Sequence, residues 1–400
     1  MTVLARFFGD GFRVFFFAAG VFAMLAMIVW AGWLGVHAYG GMVDLPTAAA
    51  PHLWHAHEMI FGYGAAAMAG FFLTAVPNWT GARAAPQVFN AVVAGLWLMG
   101  RLMVWQSAQL PAGLVALVDL AFVPVLAVKL LEQLLKRPKP QQMILLAMLG
   151  LFWSGNLMAH LEWMGLTADT LWAGLRVGLF SLGALIMVLG GRVTPGFTRN
   201  AMVQSGRETG LPRNPMPLAA TAIAAAVAVP LGLMTRAPEL ALGLAALIAG
   251  GAGLLRAALW RGGWTKDKPI LWTLHLSYAV NALGFLAFGV ANLGLGSEVA
   301  ALHLLGIGGV GGMTLAVMSR ATLGHSGRAL VAPGPVVLAY VMVPLAALAR
   351  FAGSAWPGLY YPAIFAAAAL WCMAFALFTI ALLPAFFGPR QNRSKTEAAT

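Results

Sequence analysis

The sequence predicts an all-α membrane protein of twelve transmembrane helices with both termini in the cytoplasm. Hydrophobic residues make up 61% of the chain and charged residues only 9%, whereas a soluble domain carries about 25% charged residues. The hydrophobic residues form uninterrupted runs of about 20, the length that a helix needs to cross the hydrocarbon core of a bilayer. Lys and Arg concentrate in alternate loops between these runs. These three observations indicate that lipid is the solvent for most of the side chains.

Each run is interpreted as a helix, because the runs lack the alternation of a membrane β-barrel and an open sheet cannot satisfy its backbone in lipid. The chain is treated as a single integral membrane domain, 1–400, without a soluble domain. The longest loop, 191–215, separates two sets of six spans. The predicted helices are approximately 14–36, 51–76, 87–105, 111–135, 141–161, 170–190, 216–234, 238–260, 270–293, 298–318, 331–353 and 359–385.

The orientation follows from the positive charges, since short loops rich in Lys and Arg stay in the cytoplasm. With the N-terminus inside, most of the 24 Lys and Arg residues fall in inside segments, and the outside loops hold only Arg236 and Arg350. One missed helix would invert every later loop, so this distribution also supports the count of spans. The inside charges include Lys139, Arg393 and Lys395.

Several classes of protein are excluded by the composition. The net charge of +12 is spread over short loops, without the basic surface that a nucleic-acid partner needs. Cys372 is the single cysteine, which excludes disulfides, Cys-ligated zinc and iron–sulfur clusters. Any bound metal must therefore use His, Met or carboxylate ligands. The first hydrophobic run lacks a clear cleavage site and is interpreted as a span, not a signal peptide.

Histidines carry the main functional signal. The second span contains three within its first two turns, one ends the fifth span, and one lies about 8 Å into the tenth at 1.5 Å per residue. The predicted topology places all of these near the outer face, and a further histidine in the preceding outer loop is close enough to join them. These histidines are His52, His55, His57, His160, His303 and His37.

Helical geometry divides the histidines of the second span. His52 and His55 are three residues apart and share a face, whereas His57 points to another side of the helix. Neutral imidazole is a ligand for copper, iron and zinc, and polar groups at membrane depth are usually functional. Glu58 is a candidate to fix an imidazole tautomer, carry a proton or ligate a metal. A hydrogen-bonded or interfacial role is the ordinary alternative for any one of these histidines.

Other polar residues leave alternatives open. His275, in the inner part of the ninth span, is either a haem ligand or a structural hydrogen-bonding residue. Arg176 either pairs with a haem propionate or meets Asp119 at a comparable depth. Asp119, like Glu58, is a candidate for proton delivery or for a structural ion pair. His325 is assigned to a cytoplasmic loop, where a solvated role or an anion site is expected.

Four stretches of the chain resemble the NnrS family. They are PHLWHAHEM at 51–59, GFFLTAVPNWTG at 70–81, GRVTP with FTRN between 191 and 200, and MTLAVMSRATLGH at 313–325. The similarity covers nearly the whole chain. It implies a haem- and copper-containing protein of the bacterial inner membrane that takes part in the nitric oxide response.

The combined analysis predicts a multi-pass inner-membrane protein that binds haem b and copper and handles nitric oxide. The copper set is His52, His55 and His160. Haem is assigned to His57 and His303, with His275 as the alternative. Reduction of nitric oxide to nitrous oxide needs two electrons and two protons, which quinol or a soluble donor would have to supply. The competing interpretations are a twelve-helix transporter of a metal or small anion and a nitric oxide or haem sensor without turnover.

Overall fold

A computed structural model describes residues 2–138 and 140–391, and all regular secondary structure within those ranges is helical. Twelve helices in these ranges are long and apolar enough to cross a membrane. The predicted all-α architecture with twelve spans is therefore confirmed. Lys139, Arg393 and Lys395, which entered the charge distribution, lie outside the described residues.

The twelve helices are labelled α1 to α12, and a short helix, Val3–Phe7, precedes them. Their bounds are α1 Gly11–Ala38, α2 Pro51–Thr80, α3 Gln87–Trp105, α4 Ala112–Leu134, α5 Pro140–Trp163, α6 Leu171–Gln204, α7 Met216–Met234, α8 Glu239–Ala258, α9 Pro269–Asn292, α10 Glu298–His325, α11 Gly334–Ala355 and α12 Tyr360–Phe387.

Three predicted loop positions are helical. His37, predicted in the outer loop, lies in the last turn of α1. The segment 191–204, predicted as the start of the longest loop, is helical and extends α6 to 34 residues. His325, predicted in a loop, is the last residue of α10. At 1.5 Å per residue, α6 is about 51 Å long, which exceeds the hydrocarbon thickness of about 30 Å.

The extension of α6 passes through Pro195, a residue that normally interrupts a helix because it cannot donate to the carbonyl four residues earlier. That carbonyl belongs to Gly191. It accepts hydrogen bonds from Arg256 Nη2 at 2.9 Å and Asn214 Nδ2 at 3.1 Å instead. Two side chains distant in sequence thus replace the missing backbone bond. Because this compensation is not visible in the sequence, the Gly and Pro residues of the segment led to the prediction of a loop.

Helices α2, α6 and α10 share a second feature, a π-helical segment within the span. These segments are Glu58–Gly64, Ile186–Gly190 and Leu304–Gly311. The same three helices are the most buried of the twelve. A π-turn inserts an extra residue, disturbs the regular ladder of backbone hydrogen bonds, and is frequent at functional sites. A π-helical segment thus occurs in every fourth helix, from α2 to α10.

Polar side chains bond to carbonyl groups within two of these segments. Trp97 Nε1 donates to the carbonyl of Gly62 at 2.9 Å. Arg256 Nη1 donates to the carbonyl of Met187 at 2.8 Å. Because an unpaired buried carbonyl is costly, these bonds stabilise the irregular turns.

The chain divides into two compact units. Unit 1 comprises residues 1–178 with 317–330 and 375–400, and unit 2 comprises Leu179–Ala316 and Val331–Ala374. Helices α1 to α5 lie in unit 1. Within it, Arg13 Nη1 donates to the carbonyls of Ala385, Phe386 and Gly388, groups that a helix end leaves without intrahelical partners. The description of the whole chain as one membrane domain stays a prediction.

The predicted orientation is testable with introduced cysteines. In a Cys372→Ser background, Asp44→Cys should react with a membrane-impermeant maleimide on right-side-out spheroplasts, because its exposed loop is predicted to lie outside. Lys266→Cys, also exposed, should react only after permeabilisation. The opposite pattern would show that the topology is inverted.

Candidate metal centre

Six polar side chains from four helices of unit 1 meet in the protein interior. None of them is more than 6% exposed. Helix α2 supplies two, α3 one, α4 one and α5 two. This polar cluster consists of His57, Glu58, Arg101, Asp119, Asn156 and His160.

Arg101 is the bridge between the two carboxylates of the cluster. Its Nη1 donates to Glu58 Oε1 at 2.5 Å, and its Nη2 donates to Asp119 Oδ1. Guanidinium presents a planar fork of donors that remains charged, so it is suited to hold two carboxylates at fixed positions. Helices α2, α3 and α4 are thereby joined through one side chain.

The second oxygen of Asp119 binds helix α5. Asp119 Oδ2 accepts from Asn156 Nδ2 at 2.9 Å and from His160 Nε2 at 2.8 Å. Both donors lie on the same face of α5, because residues 156 and 160 are four apart. Asp119 therefore uses both oxygens, one toward Arg101 and one toward α5.

His57 closes the network. Its Nδ1 lies 2.9 Å from Glu58 Oε1, and its Nε2 lies 2.8 Å from Asn156 Oδ1. The Asn156 amide is oriented by its donation to Asp119, so its oxygen faces His57. Both ring nitrogens of His57 thus lie within hydrogen-bond distance of a side-chain oxygen.

Arg101 faces both carboxylates of the polar cluster. Its two terminal nitrogens contact Glu58 and Asp119, and the rings of His57 and His160 each have a nitrogen within hydrogen-bond distance of a carboxylate oxygen. Ionised groups taken out of water are strongly destabilising unless they are paired and hydrogen-bonded. The two carboxylates meet both conditions, whereas Nε of Arg101 has no hydrogen-bond partner.

Two glycines leave the space that these contacts need. A Cβ atom at Gly100 would lie 2.9 Å from Asp119 Oδ1 and 3.3 Å from Asp119 Cα. A Cβ at Gly62 would lie 2.5 Å from Phe22 Cε1 and 3.0 Å from Arg101 Nη1. A side chain at Gly100 would displace Asp119, and one at Gly62 would displace the Phe22 ring and crowd the guanidinium of Arg101.

Aromatic rings cover the two histidines. The Trp163 ring centroid is 5.0 Å from that of His57 and 5.0 Å from that of His160. The Phe61 ring lies 5.1 Å from His57. Trp163 also packs on the apolar cluster around Trp54. These contacts exclude water, which strengthens the electrostatic interactions beneath them.

The remaining predicted histidines of α1 and α2 lie elsewhere. His52 is exposed. His55 stacks on Trp30 with ring centroids 5.0 Å apart, and His37 stacks on Trp33 at 5.3 Å. Trp30 and Trp33 stack on each other at 5.5 Å, so the four rings form a continuous column. His37 and Trp33 also line a cavity of about 420 Å³.

In unit 2, His275 Nε2 lies 2.8 Å from Thr198 Oγ1. That hydroxyl donates to the Thr194 carbonyl at 2.9 Å, so it accepts from the imidazole. His303 Nδ1 donates to the Val299 carbonyl at 2.7 Å, an orientation common among metal-ligating histidines.

Two other predicted residues lie in unit 1. The guanidinium of Arg176 lies 5.7 Å from the Trp172 ring centroid. Asp119 pairs with Arg101, and the two interpretations of Arg176 stay predictions. His325 contacts the ring of Phe12, with centroids 5.9 Å apart.

Among the described residues, one group of three His, Cys, Asp or Glu side chains has the spacing of a metal site. It consists of His57, Asp119 and His160, with one ligand atom of each within 4.8 Å of the others. His160 is thus grouped with His57, and His52 and His55 are not part of this set.

The sequence reasoning missed the roles of Arg101 and Asn156. Both were visible as polar residues inside predicted spans, at positions that are costly in lipid. Their depth alone did not show that they face His57 and Asp119, because the packing of α3 and α5 around α2 was not available from the sequence.

The fold and the cluster define a multi-pass membrane protein with a buried group of candidate metal ligands. A family model described as NnrS protein matches residues 6–390. The chain therefore belongs to the NnrS family, and membership supports its assignment as a membrane protein of the nitric oxide response. A search of curated proteins finds no match.

Removal of Arg101 is expected to destabilise the protein strongly. Arg101→Met leaves Glu58 and Asp119 buried without their cation, a change that typically costs about 3–5 kcal/mol. The melting temperature in detergent should fall clearly. The matched control, Arg83→Met, removes an exposed arginine and should have little effect.

A second variant separates lost charge balance from lost packing. Arg101→Met combined with Glu58→Gln and Asp119→Asn removes cation and carboxylates together, and it should recover part of the melting temperature. If Arg101→Met melts like the wild type, the ion pairs do not hold these helices together.

Proposed function

We propose that this protein handles nitric oxide at a copper ion held by His57, Asp119 and His160, with haem b bound at His303. The copper assignment is carried by one observation: two imidazoles and a carboxylate from three helices meet in a buried position with ligand spacing. This set takes the place of the set predicted from the sequence, of which it retains His160.

The donor chemistry suits copper. Imidazole nitrogen binds copper, iron and zinc, and thiolate is absent from the cluster. Glu58 Oε1 accepts from Nδ1 of His57, the arrangement in which a carboxylate orients a metal-binding histidine through its other nitrogen. Glu58 is therefore proposed to fix the tautomer of His57.

His57 does not fit the predicted role of haem ligand. Its ring is 0% exposed, both nitrogens have partners, and Phe61, Trp163 and His160 contact the ring. A porphyrin against that ring would displace these groups. His303 is the proposed haem ligand, because its Nδ1 donates to a backbone carbonyl, an orientation common among metal-ligating histidines.

Copper and haem iron supply electrons and a coordination site for nitric oxide when they are bound. The protein supplies the surroundings: Arg101 fixes Asp119, Glu58 orients His57, and the aromatic cover excludes water. Asp119 and Glu58 are proposed to pass protons to the site, because their oxygens lie within hydrogen-bond distance of the rings of His160 and His57. Reduction to nitrous oxide, with quinol or a soluble donor, is the proposed reaction.

Copper content tests the ligand set. Purified His57→Ala and His160→Gln proteins should lose the copper that elemental analysis finds in the wild type, because each removes one of three ligands. His52→Ala is the matched control, an exposed histidine on the same helix, and should retain it. Loss of copper in His52→Ala with retention in the other two would favour the ligands predicted from the sequence.

Nitric oxide consumption tests the reaction. Wild-type protein in detergent with an artificial electron donor should remove nitric oxide over many turnovers under anaerobic conditions, and His303→Ala should abolish the Soret band and the activity. Uptake that stops after one equivalent would indicate a sensor. A folded protein without haem or copper would instead support the transporter interpretation.

A further inference from the structure

Trp163 has a buried polar atom that the polypeptide does not use. Its Nε1 is shielded from solvent and has no hydrogen-bond partner. A buried N–H without an acceptor costs about 1–3 kcal/mol, and such groups in folded proteins call for an explanation. Trp163 is the last residue of α5. A Phe at this position would provide an aromatic ring without an unpaired N–H group.

The position of this indole connects it to the candidate ligands. Trp163 follows His160 by three residues on the same helix face, and its ring is equidistant from the rings of His57 and His160, with both centroids 5.0 Å away. The His160 and Trp163 planes are perpendicular. Among the described residues, Trp163 is the only tryptophan in ring contact with His57 or His160.

A second indole in the same apolar cluster shares the feature. Trp54 is 4% exposed, and its Nε1 also has no partner. Trp54 lies three residues before His57 on α2, and Trp163 packs against the cluster that contains it. Two buried donors without protein acceptors thus lie about one turn from two of the candidate ligands.

We propose that the indole N–H of Trp163 donates a hydrogen bond to a small acceptor molecule held against His57 and His160. In the proposed function, on which this inference rests, that molecule is nitric oxide. A donor near a ligand of this size controls its affinity and orientation, as the polarity of a distal pocket does in haem proteins. Trp163 is thus a substrate-binding residue, separate from the metal ligands.

Azide and zinc provide probes that are stable and diamagnetic. Zinc accepts His and carboxylate ligands, and with three protein ligands it keeps a fourth position for a small molecule. Azide is a small nitrogen-based acceptor. The zinc-loaded full-length protein, labelled with ¹⁵N-tryptophan, is titrated with azide and followed by NMR. The Trp163 indole signal is assigned by its absence from Trp163→Phe.

Azide should shift the Trp163 indole N–H signal downfield, as hydrogen-bond formation does. Trp163→Phe should retain zinc but bind azide about two- to tenfold more weakly, the range that corresponds to one hydrogen bond of about 0.5–1.5 kcal/mol. Trp105→Phe is the matched control, since Trp105 packs on Trp54 at 5.3 Å in the same cluster; it should bind azide like the wild type.

The outcomes separate this inference from the proposed function. A protein that binds zinc with an unmoved Trp163 signal, or with equal azide affinity in Trp163→Phe, overturns the role of Trp163 and leaves the metal site standing. Zinc binding without azide binding has the same consequence. A protein that binds no zinc at His57, Asp119 and His160 overturns both.

Discussion

The salt bridges of Arg101 are the interaction on which the arrangement of unit 1 depends. Two carboxylates on different helices lie in a region without water, and one guanidinium neutralises and positions both. The attraction is strong there because the effective dielectric constant is low, and the penalty for an unpaired charge is high for the same reason. Helices α2, α3 and α4 are therefore tied to one geometry.

The packing around this interaction is specialised for it. Gly100 lets Asp119 approach α3, and Gly62 leaves room for the guanidinium. The π-helical turn that starts directly after His57 is joined to α3 by the bond from Trp97 to the Gly62 carbonyl. A π-helical turn, two small residues and a buried ion network thus occur together, and π-turns are frequent at functional sites.

The sequence was sufficient for the architecture because hydrophobic length dictates transmembrane helices. It was also sufficient to single out His57, Glu58, Asp119 and His160, since polar residues at that depth are rare. It did not reveal which of them meet, because the rotation of each helix about its axis depends on tertiary packing. In the structure His55 stacks on Trp30, and His160 bonds to Asp119. The extension of α6 was missed because Arg256 and Asn214, distant in sequence, compensate for Pro195.

The same network that stabilises the protein without a metal offers the ligands for one. His57 and His160 both direct Nε2 toward Asp119 Oδ2, at 3.5 Å and 2.8 Å. X-ray diffraction from copper-loaded crystals, recorded at the copper absorption edge, locates the ion directly. We predict an anomalous peak among His57, Asp119 and His160. A peak at His52 and His55, or a loaded protein without copper at these three side chains, would contradict the account.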